Sequence, residues 1–374
     1  MTKILLTGGG SGGHIYPLLA VAENLKKTAE DIELFYLGPA NPLNDEFKKL
    51  DIKVYTLASS KLRRYFSLAN FLDIPKFILS IFQAMFRLYF LMPDIVFSKG
   101  GPGSFAVILA ARFYFIPVVI HESDSIASLT NRLSAGLAKK IVISFENTTS
   151  YFPKKKTKLT GNPIREELLE KLPEQNKAKT ELGFNPEEPL VLIFGGSQGA
   201  RRIDNFVLEN LETLLAATQI YHLTGTNKLE ETKQTSSAIL GGLGDNLRKR
   251  YLLAGRLRTD EIKIAMNAAD LIISRAGAGA IYEIAAFQKP SILIPLSGSA
   301  NNHQKNNAYE YAKKGATCVI EEENFKISIV LMQIKNILKD ENLMQKMKEA
   351  AQKFSKTEAA AVIAKEILEL IPKK

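Results

Sequence analysis

The chain of 374 residues has a single cysteine, Cys318, which excludes an internal disulfide and any zinc site built from several cysteines. A reducing compartment is therefore expected. The four histidines stand at positions 14, 121, 222 and 303 and are too dispersed for metal-ligand spacing. The sequence also has no Asp-x-Asp pair of the kind that holds a nucleotide-bound metal. It thus predicts that the protein uses no metal and no cofactor.

Acidic residues are the minority among the charged ones, with 39 Asp and Glu against 49 Lys and Arg. The resulting net charge of +10 favours an anionic partner, which could be nucleic acid, anionic lipid or a phosphorylated substrate. No basic segment followed by an apolar one stands near Met1, so we expect no signal peptide. The length and a hydrophobic content of 46% suit a globular protein of two domains.

The sequence does contain glycine-rich turns after short apolar runs, and the clearest lies in 271–296. Leu271–Ser274 is too short for a buried helix and predicts a strand buried on both faces. Small residues break this strand, and Ile281–Phe287 then has helical spacing. Such a helix start presents free backbone N–H groups and a positive dipole end to an anion, commonly a phosphate. Glu283 could there accept hydrogen bonds from a ribose, or it could be a solvated charge on an ordinary βαβ turn.

The first glycine-rich turn, Gly8–Gly13, follows the apolar run Lys3–Thr7 and satisfies the pattern G-x-G-x-x-G. A dinucleotide oxidoreductase would also need an acidic residue at the end of the second strand, about 20 residues further on. That strand, Ile32–Leu37, ends in Gly-Pro, so the dehydrogenase interpretation loses its support. His14 directly follows the glycines at the carboxyl end of a strand, and we expect a functional rather than a structural role for it.

Within the stretch 61–92, residues 71–92 predict a helix that is apolar around most of its circumference. Its polar residues fall on one narrow stripe: Asp73, Lys76, Ser80, Gln83 and Arg87. A surface helix needs an apolar arc only a little over 100° wide, so one core contact does not explain this pattern. Recurring charges and Pro75 disfavour a transmembrane span. We therefore expect a helix on an anionic membrane surface, with burial between neighbouring elements as the alternative. The residues expected to contact the membrane are Arg63, Arg64, Lys76, Phe82 and Met85.

Strand, loop and helix alternate roughly every 20–40 residues, which is typical of parallel α/β units. Lys99–Ser104 is the second glycine-rich turn, and Gly195–Gly199 is the third. The segment 166–189 is charged, has helical character and contains three prolines, so it predicts a hinge. We predict an α/β protein with two Rossmann-like, doubly wound domains, 1–163 and 164–355, and a helix at 358–371 that packs back on the first domain.

Two doubly wound domains with glycine-rich turns facing one central cleft form the arrangement of GT-B glycosyltransferases. Several longer motifs are more specific: GGGSGGHIYPLLAVA, HESDSIASLTNR, GNPIR, GGSQGA, DLIISRAGAGAIYEIAAFQKPSILIPL and NNHQKNNA. In this order, and through most of the chain, they resemble the successive motifs of the MurG family. The resemblance implies an inverting transferase that moves N-acetylglucosamine from UDP-N-acetylglucosamine to the C4 hydroxyl of lipid I, forming lipid II for peptidoglycan.

The resemblance also implies roles for single residues. His14 matches the loop histidine of the family and is the candidate for the group that takes the proton of the acceptor. Glu283 is implied to bind the ribose hydroxyls, and Gln304 to recognise the hydroxyls of N-acetylglucosamine. The full set of implied donor-binding residues is Ser11, Gly12, Gly13, Asp124, Arg165, Ser197, Ala278, Gly279, Ala280, Ile281, Tyr282, Glu283 and Gln304.

The sequence departs from the family pattern at two places. The usual His-Glu-Gln-Asn is His121-Glu122-Ser123-Asp124, so an amide of the donor site has become a carboxylate. In the second glycine-rich turn, which is implied to meet the acceptor, Pro102 replaces a common aromatic residue and Phe105 replaces a usual glycine. Without a metal, the departing diphosphate would be stabilised by glycine-rich helix starts and Arg165.

Two other functions remain open at this stage. One is another GT-B enzyme, either a different UDP-sugar transferase or a UDP-sugar epimerase, although the wide apolar helix favours a lipid-linked substrate. The other is a non-catalytic protein that binds anionic lipid or nucleic acid, which would leave three glycine-rich turns unexplained. We expect UDP-N-acetylglucosamine, lipid I and an anionic membrane surface as partners, and no nucleic acid. The expected location is peripheral, on the cytoplasmic face of the bacterial inner membrane.

Overall fold

The computed structural model describes residues 1–58, 69–196 and 200–371. The chain forms two compact units, which we call unit 1 (Met1–Arg165 with Lys356–Lys374) and unit 2 (Glu166–Ser355). Each unit has a parallel sheet with helices as the connections between its strands. The predicted fold class of two Rossmann-like, doubly wound α/β domains is confirmed.

The described part of unit 1 contains a seven-stranded sheet in the order β3-β2-β1-β4-β5-β6-β7, and neighbouring strands run parallel. The strands are β1 Thr2–Thr7, β2 Ile32–Pro39, β3 Lys53–Leu57, β4 Ile95–Ser98, β5 Val118–Glu122, β6 Lys140–Ile143 and β7 Thr157–Leu159. Because the strand order reverses between β1 and β4, the carboxyl ends of these two strands flank a crevice, where ligands of open α/β sheets bind.

Five helices in the described part of unit 1 lie between its strands, and a sixth comes from near the end of the chain. The helices are α1 Gly12–Thr28, α2 Asn44–Lys49, α3 Ala69–Leu91, α4 Ser104–Phe113, α5 Leu129–Ser134 and α16 Ala359–Glu369. Helix α16 packs on α1, and its Ile363 and Ile367 join the apolar core of the unit. The buried carboxylate of Glu366 pairs with Lys140 and Lys158, each at 2.5 Å. These two ion pairs connect α16 to strands β6 and β7.

The side of α3 that packs on the rest of unit 1 includes several of its polar residues. Ser80, Ala84 and Leu88 are buried along one stripe. Gln83 also points to the unit and accepts a hydrogen bond from the backbone N–H of residue 58, and the guanidinium of Arg87 stacks on a tyrosine of β3. Part of the predicted polar stripe therefore contacts the rest of unit 1: Ser80 is buried, Gln83 binds the segment after β3, and Arg87 contacts β3.

Several large apolar side chains of α3 point away from the core of unit 1. Phe82 is 64% exposed and Phe90 is 65% exposed. The other large exposed apolar residues of this helix are Ile74, Ile78, Leu79, Phe86 and Tyr89. Within the described residues, Asp73–Leu91 is the one helix that is long and apolar enough to cross a membrane by length and composition, and 22% of that stretch is buried.

The described part of unit 2 contains a six-stranded parallel sheet in the order β10-β9-β8-β11-β12-β13. Its strands are β8 Leu190–Phe194, β9 Gln219–Leu223, β10 Tyr251–Ala254, β11 Leu271–Ser274, β12 Ser291–Leu293 and β13 Thr317–Val319. The order reverses between β8 and β11, so the turns after these two strands flank the crevice of this unit. The predicted strand at Leu271–Ser274 has the predicted bounds and is fully buried.

The helices of unit 2 are α6 Gln175–Glu181, α7 Arg201–Glu209, α8 Leu211–Leu215, α9 Leu229–Gly241, α10 Asp245–Arg248, α11 Thr259–Ala268, α12 Ala278–Ala286, α13 His303–Ala312, α14 Ile327–Lys339 and α15 Glu341–Phe354. The expected helical character of 166–189 is largely wrong. Only α6 and a 3-10 turn at Glu166–Leu168 form there, because prolines at 173, 186 and 189 interrupt the segment.

Candidate active site

His14 lies between the two glycine-rich turns of unit 1, in the first turn of α1. Its Nδ1 is 2.7 Å from the hydroxyl oxygen of Ser11, the residue that precedes the helix. A Cβ atom at Gly9 would lie 3.0 Å from Nδ1, and one at Gly101 would lie 2.7 Å from Nε2. The turns are joined directly, since the N–H of Gly9 donates to the carbonyl of Gly100 at 2.9 Å. A side chain at Gly101 would therefore displace the imidazole, and one at Gly9 would crowd it.

The environment of His14 favours its neutral form. Burial, and then the positive charge of Lys99, lower the pKa of His14 to about 3. Lys99 follows β4 directly and is only 3% exposed. Burial lowers the pKa of Lys99 to about 8, although the carboxylates of Glu122 and Asp124 oppose the shift. The imidazole is thus neutral and only a weak base in the free protein, and the lysine next to it can remain charged at neutral pH.

Glu122 organises the loop that follows β5. Its Oε1 accepts a hydrogen bond from the backbone N–H of Asp124, and its Oε2 accepts from the N–H of Ser128 and from the side-chain amide of Asn131. Burial and the nearby Asp124 raise the pKa of Glu122, while the bonds from Ser128 and Asn131 and the charge of Lys99 oppose this shift. The loop that carries Asp124 is therefore fixed by a buried carboxyl group.

His121 has a structural position. It is fully buried at the end of β5, and its Nε2 lies 3.1 Å from the hydroxyl of Ser144 and 3.2 Å from the carbonyl of Gly161. Burial and the charge of Lys99 lower the pKa of His121 well below its ordinary value. The neutral ring therefore links β5 to the segments that follow β6 and β7.

Other predicted donor residues of unit 1 lie at the start of α1 and near it. Ser11 precedes the helix, and Gly12 and Gly13 are its first two residues. A Cβ at Gly13 would meet only the hydroxyl of Ser11, at 3.9 Å, among the described residues. The guanidinium of Arg165 lies over the ring of Tyr16, 4.5 Å from its centroid. These residues bring a helix start and a positive charge to one region of unit 1.

In unit 2, the start of α12 is open on its outer side. A Cβ at Gly277 or Gly279 would meet no described atom within 4 Å, and neither glycine has a positive φ. Packing against the described residues and backbone conformation therefore do not require glycine at these positions. A helix start free of side chains is the form that lets an anionic ligand approach the backbone amides of the first turn.

The predicted donor residues of α12 divide into two groups. Ala278, Gly279 and Ala280 form the first turn, and Glu283 is half-buried one turn later. The side chains of Ile281 and Tyr282 are buried, and the ring of Tyr282 packs on Phe354 with centroids 4.9 Å apart. The structure therefore gives Ile281 and Tyr282 a core role through their side chains.

Gln304 lies in the first turn of α13 and is connected to the loop after β12. Its side-chain oxygen accepts a hydrogen bond from the N–H of Leu296 at 3.0 Å. The buried Asn307, one turn further, donates to the carbonyl of Ala276 at 3.3 Å. These two bonds connect α13 to the loops that follow β12 and β11.

Some predicted residues are elsewhere. Ser197, Arg63 and Arg64 lie outside the described residues. Lys76 and Phe82 are exposed on α3, whereas Met85 is half-buried and packs against the core of unit 1. Sequence reasoning gave no role to Lys99 and Glu322, two buried charged residues near the predicted sites. Lys99 had a local signal, because it separates a short, largely apolar strand from a glycine-rich turn; Glu322 had none.

The sequence matches two family models and several curated proteins. A family model described as the glycosyltransferase family 28 N-terminal domain matches residues 4–143, and the C-terminal domain model matches residues 190–367. The chain is 38% identical over 354 residues to the UDP-N-acetylglucosamine–N-acetylmuramyl-(pentapeptide) pyrophosphoryl-undecaprenol N-acetylglucosamine transferase of Clostridium kluyveri, covering 94% of this chain and 96% of that one. It is 36% identical to transferase 2 of the same name from Bacillus anthracis, covering 99% and 100% of the two chains.

Among solved structures, MurG of Acinetobacter baumannii has a TM-score of 0.74 at 24% identity and covers 99% of this chain and 100% of its own. The UDP-N-acetylglucosamine 2-epimerase of Neisseria meningitidis, bound to UDP-N-acetylglucosamine, has a TM-score of 0.70 at 17% identity and covers 98% and 100% of the chains. At these identities the likeness concerns the fold.

Two parallel α/β domains, each with a helix start at its switch point, and the two domain models define a family 28 glycosyltransferase with the GT-B fold. Within that class, the full-length identity to the curated transferases is decisive. The chain belongs to the MurG family, as its motifs had indicated.

The environment of His14 leads to a prediction about its ionisation. We expect the imidazole resonance of His14 not to titrate between pH 5 and 8, because burial and Lys99 both disfavour the imidazolium. In Lys99→Met the pKa of His14 should rise, since a positive neighbour is removed, but stay below 6.5 because burial is the larger cause. Proton NMR titration tests this, with His14→Gln as the control that assigns the resonance. A midpoint near 6.5 in the unmodified protein would contradict it.

Proposed function

We propose that this protein transfers N-acetylglucosamine from UDP-N-acetylglucosamine to the C4 hydroxyl of lipid I, the undecaprenyl-diphospho-N-acetylmuramoyl peptide, with inversion at the anomeric carbon. The product is lipid II for peptidoglycan. The observation that carries this proposal is the match along 94% of the chain to transferases named for this reaction. The fold alone does not separate a transferase from a UDP-sugar epimerase, because both have it.

The donor is assigned to unit 2, and the open start of α12 supports this. The amides of 278–280 would meet phosphate or uridine oxygens, and Glu283 would accept hydrogen bonds from the ribose hydroxyls. The side-chain oxygen of Gln304 accepts a hydrogen bond from the N–H of Leu296. Its NH2 group is therefore the part that we assign to recognition of the sugar. Ser197 belongs to the same proposed set by family resemblance.

Groups of unit 1 are assigned to the acceptor and to the leaving diphosphate. The amides of Gly12 and Gly13 at the start of α1, together with Arg165, would stabilise the negative charge of UDP as it departs. Asp124 completes the proposed donor contacts by family resemblance. No step in this scheme requires a metal.

In the reaction, the C4 hydroxyl oxygen attacks the anomeric carbon while the bond from that carbon to the diphosphate oxygen breaks. The hydroxyl proton goes to a base, and UDP leaves with the electron pair of the broken bond. We assign the base to His14, whose imidazole is neutral in the free protein. A bound acceptor diphosphate would offset the charge of Lys99 and raise the pKa of His14, which makes the imidazole a better base when substrate is present.

The function is tested directly with a short-chain lipid I analogue and a series of UDP-sugars, with the product identified by mass. We expect transfer from UDP-N-acetylglucosamine to exceed transfer from the other sugars. His14→Ala should lower turnover by roughly 10²–10⁴-fold with a much smaller change in UDP affinity. No transfer to the lipid I analogue, or free sugar epimerised at C2, would overturn the proposal. Near-normal turnover in His14→Ala would reject His14 as the base.

The donor site is tested by calorimetry with UDP. Glu283→Ala should weaken UDP binding by about 1–3 kcal/mol because the ribose hydroxyls lose an acceptor. Gly279→Ala should fold at least as stably, since alanine favours a helix over glycine and its Cβ has free space, yet it should also weaken UDP binding. Glu349→Ala, at an exposed glutamate of α15, is the control and should change nothing. Unchanged affinity in both site variants would rule out α12 as the donor site.

We further propose that α3 associates with an anionic membrane, where a lipid-linked acceptor resides. The outward side of this helix supports the proposal, because a side chain such as Phe82 or Phe86 is more than half exposed. Lys76 is exposed on the same helix, and Arg63 and Arg64 precede it in the sequence. Two further exposed rings lie at the end of α4, which packs on α3: Phe113 is its last residue, and Phe115 follows it. Met85 is left out of this surface because it packs on the core.

Vesicle co-sedimentation tests the membrane proposal. The protein should bind anionic vesicles more strongly than neutral ones, since each basic residue near the surface contributes about 1 kcal/mol at low salt. Replacing Phe82 and Phe86 by Ser should reduce binding and leave UDP affinity unchanged. The control replaces Met332 and Leu343, exposed apolar residues of unit 2, and should bind like the unmodified protein. Binding that ignores lipid charge, or that survives in the α3 variant, would count against the proposal.

A further inference from the structure

Glu322 is a buried carboxylate at the carboxyl edge of the sheet in unit 2. It begins the 3-10 turn Glu322–Asn324 shortly after β13, and it is 6% exposed. Its two carboxylate oxygens and its backbone carbonyl all contact segments that follow other strands. A group in that position can influence the proposed donor site without touching a ligand.

The first contact is with the turn after β11. The Nη2 of Arg275 lies 2.6 Å from Oε1 of Glu322, and Arg275 is itself buried. The same guanidinium donates through Nη1 to the carbonyl of Ile294, just after β12, at 3.0 Å. Arg275 stands directly before the small residues that lead into α12, so this ion pair fixes the base of that helix start.

The second contact is with the loop after β12. Oε2 of Glu322 accepts a hydrogen bond from the backbone N–H of Ser297 at 3.2 Å. The preceding N–H, of Leu296, is the one held by the side-chain oxygen of Gln304. Glu322 and Gln304 therefore hold two consecutive amides, and a shift of this loop would move Gln304.

The third contact is with the start of α7. The Nη1 of Arg202, the second residue of that helix, lies 3.8 Å from Oε2 of Glu322, and its Nη2 donates to the backbone carbonyl of Glu322. The ring of Phe325, at the end of the 3-10 turn, stacks on Phe206 of α7 with centroids 4.0 Å apart. The helix that follows the third glycine-rich turn is thus fastened to the same point.

The charge state of Glu322 suits this role. Burial alone would raise its pKa, but hydrogen bonds from Arg275 and Ser297 and the charge of Arg275 outweigh it, so the pKa of Glu322 is below its ordinary value. The group is ionised at neutral pH. Removing its charge would leave the guanidinium of Arg275 buried without its counter-ion, which is costly even when the shape of the side chain is kept.

We propose that Glu322 is a positioning residue of the donor site: it holds the turn after β11, the loop after β12 and the start of α7 in the single arrangement that binds the sugar nucleotide. The proposal rests on the donor site assigned above to α12 and Gln304. It concerns residues that act on the ligand only through others, and Glu322 itself makes no contact with UDP.

The test compares Glu322→Gln with Glu323→Gln, the same change at the exposed neighbouring residue of the same turn. For Glu322→Gln we expect UDP affinity by calorimetry to fall about tenfold or more, and KM for UDP-N-acetylglucosamine to rise much more than kcat falls. Glu322→Asp keeps the charge and should restore part of the affinity. Glu323→Gln should match the unmodified protein in all measurements.

The outcomes separate the two proposals. If Glu322→Gln melts at a lower temperature but binds UDP as tightly as the unmodified protein, Glu322 is structural only and the positioning role is overturned, while the proposed function stands. If the unmodified protein binds no UDP, the donor assignment fails first. If Glu322→Gln does not fold, Arg202→Gln decides, because its side chain is 54% exposed and only the link to α7 is lost. An unchanged UDP affinity in Arg202→Gln would overturn the proposal.

Discussion

The close approach of one backbone to another is the constraint on which the site of unit 1 depends. The turns after β1 and β4 are near enough for Gly9 to donate to the carbonyl of Gly100, and the imidazole of His14 fills the remaining space. A side chain at Gly101 would displace that ring. The position of His14, the burial that keeps it neutral and the nearness of Lys99 all follow from glycine at these turns. The ionisation of His14 thus depends on the absence of side chains at Gly9 and Gly101.

Unit 2 solves a different problem with a similar turn. Cβ atoms at positions 277 and 279 would meet none of the described residues, so packing against this part of the chain does not require glycine there. The loops of this unit are held instead by the buried ion pair of Glu322 and Arg275. One unit uses glycine to bring its own segments together, and the other uses it to leave room and holds the loops by charge. The same sequence signature therefore has two physical meanings, which only the surrounding contacts distinguish.

Much of the fold could be read from the sequence, because buried parallel strands are short apolar runs and glycine marks the turns after them. Strands β3, β7 and β13 are harder to predict, because each lies at a sheet edge and its three to five residues of mixed polarity give only a weak local pattern. The orientation of α3 could not be read either, since the partners of Gln83 and Arg87 are on another element. For the same reason Glu322 escaped notice: its partner Arg275 is far away in the chain, and no spacing rule connects them.

Helix α16 makes unit 1 discontinuous, and this has a consequence for synthesis on the ribosome. The segment Lys356–Lys374 is made after all of unit 2, at roughly 5–20 residues per second, so it arrives on the order of ten seconds or more after Arg165. Until then the apolar surface of α1 that receives Ile363 and Ile367 has no cover, and Lys140 and Lys158 have no Glu366. Unit 2 can fold as one continuous segment in that interval. In the nascent chain, unit 1 is therefore still incomplete when unit 2 can already fold. A chaperone that covers apolar surface could bind unit 1 during this interval.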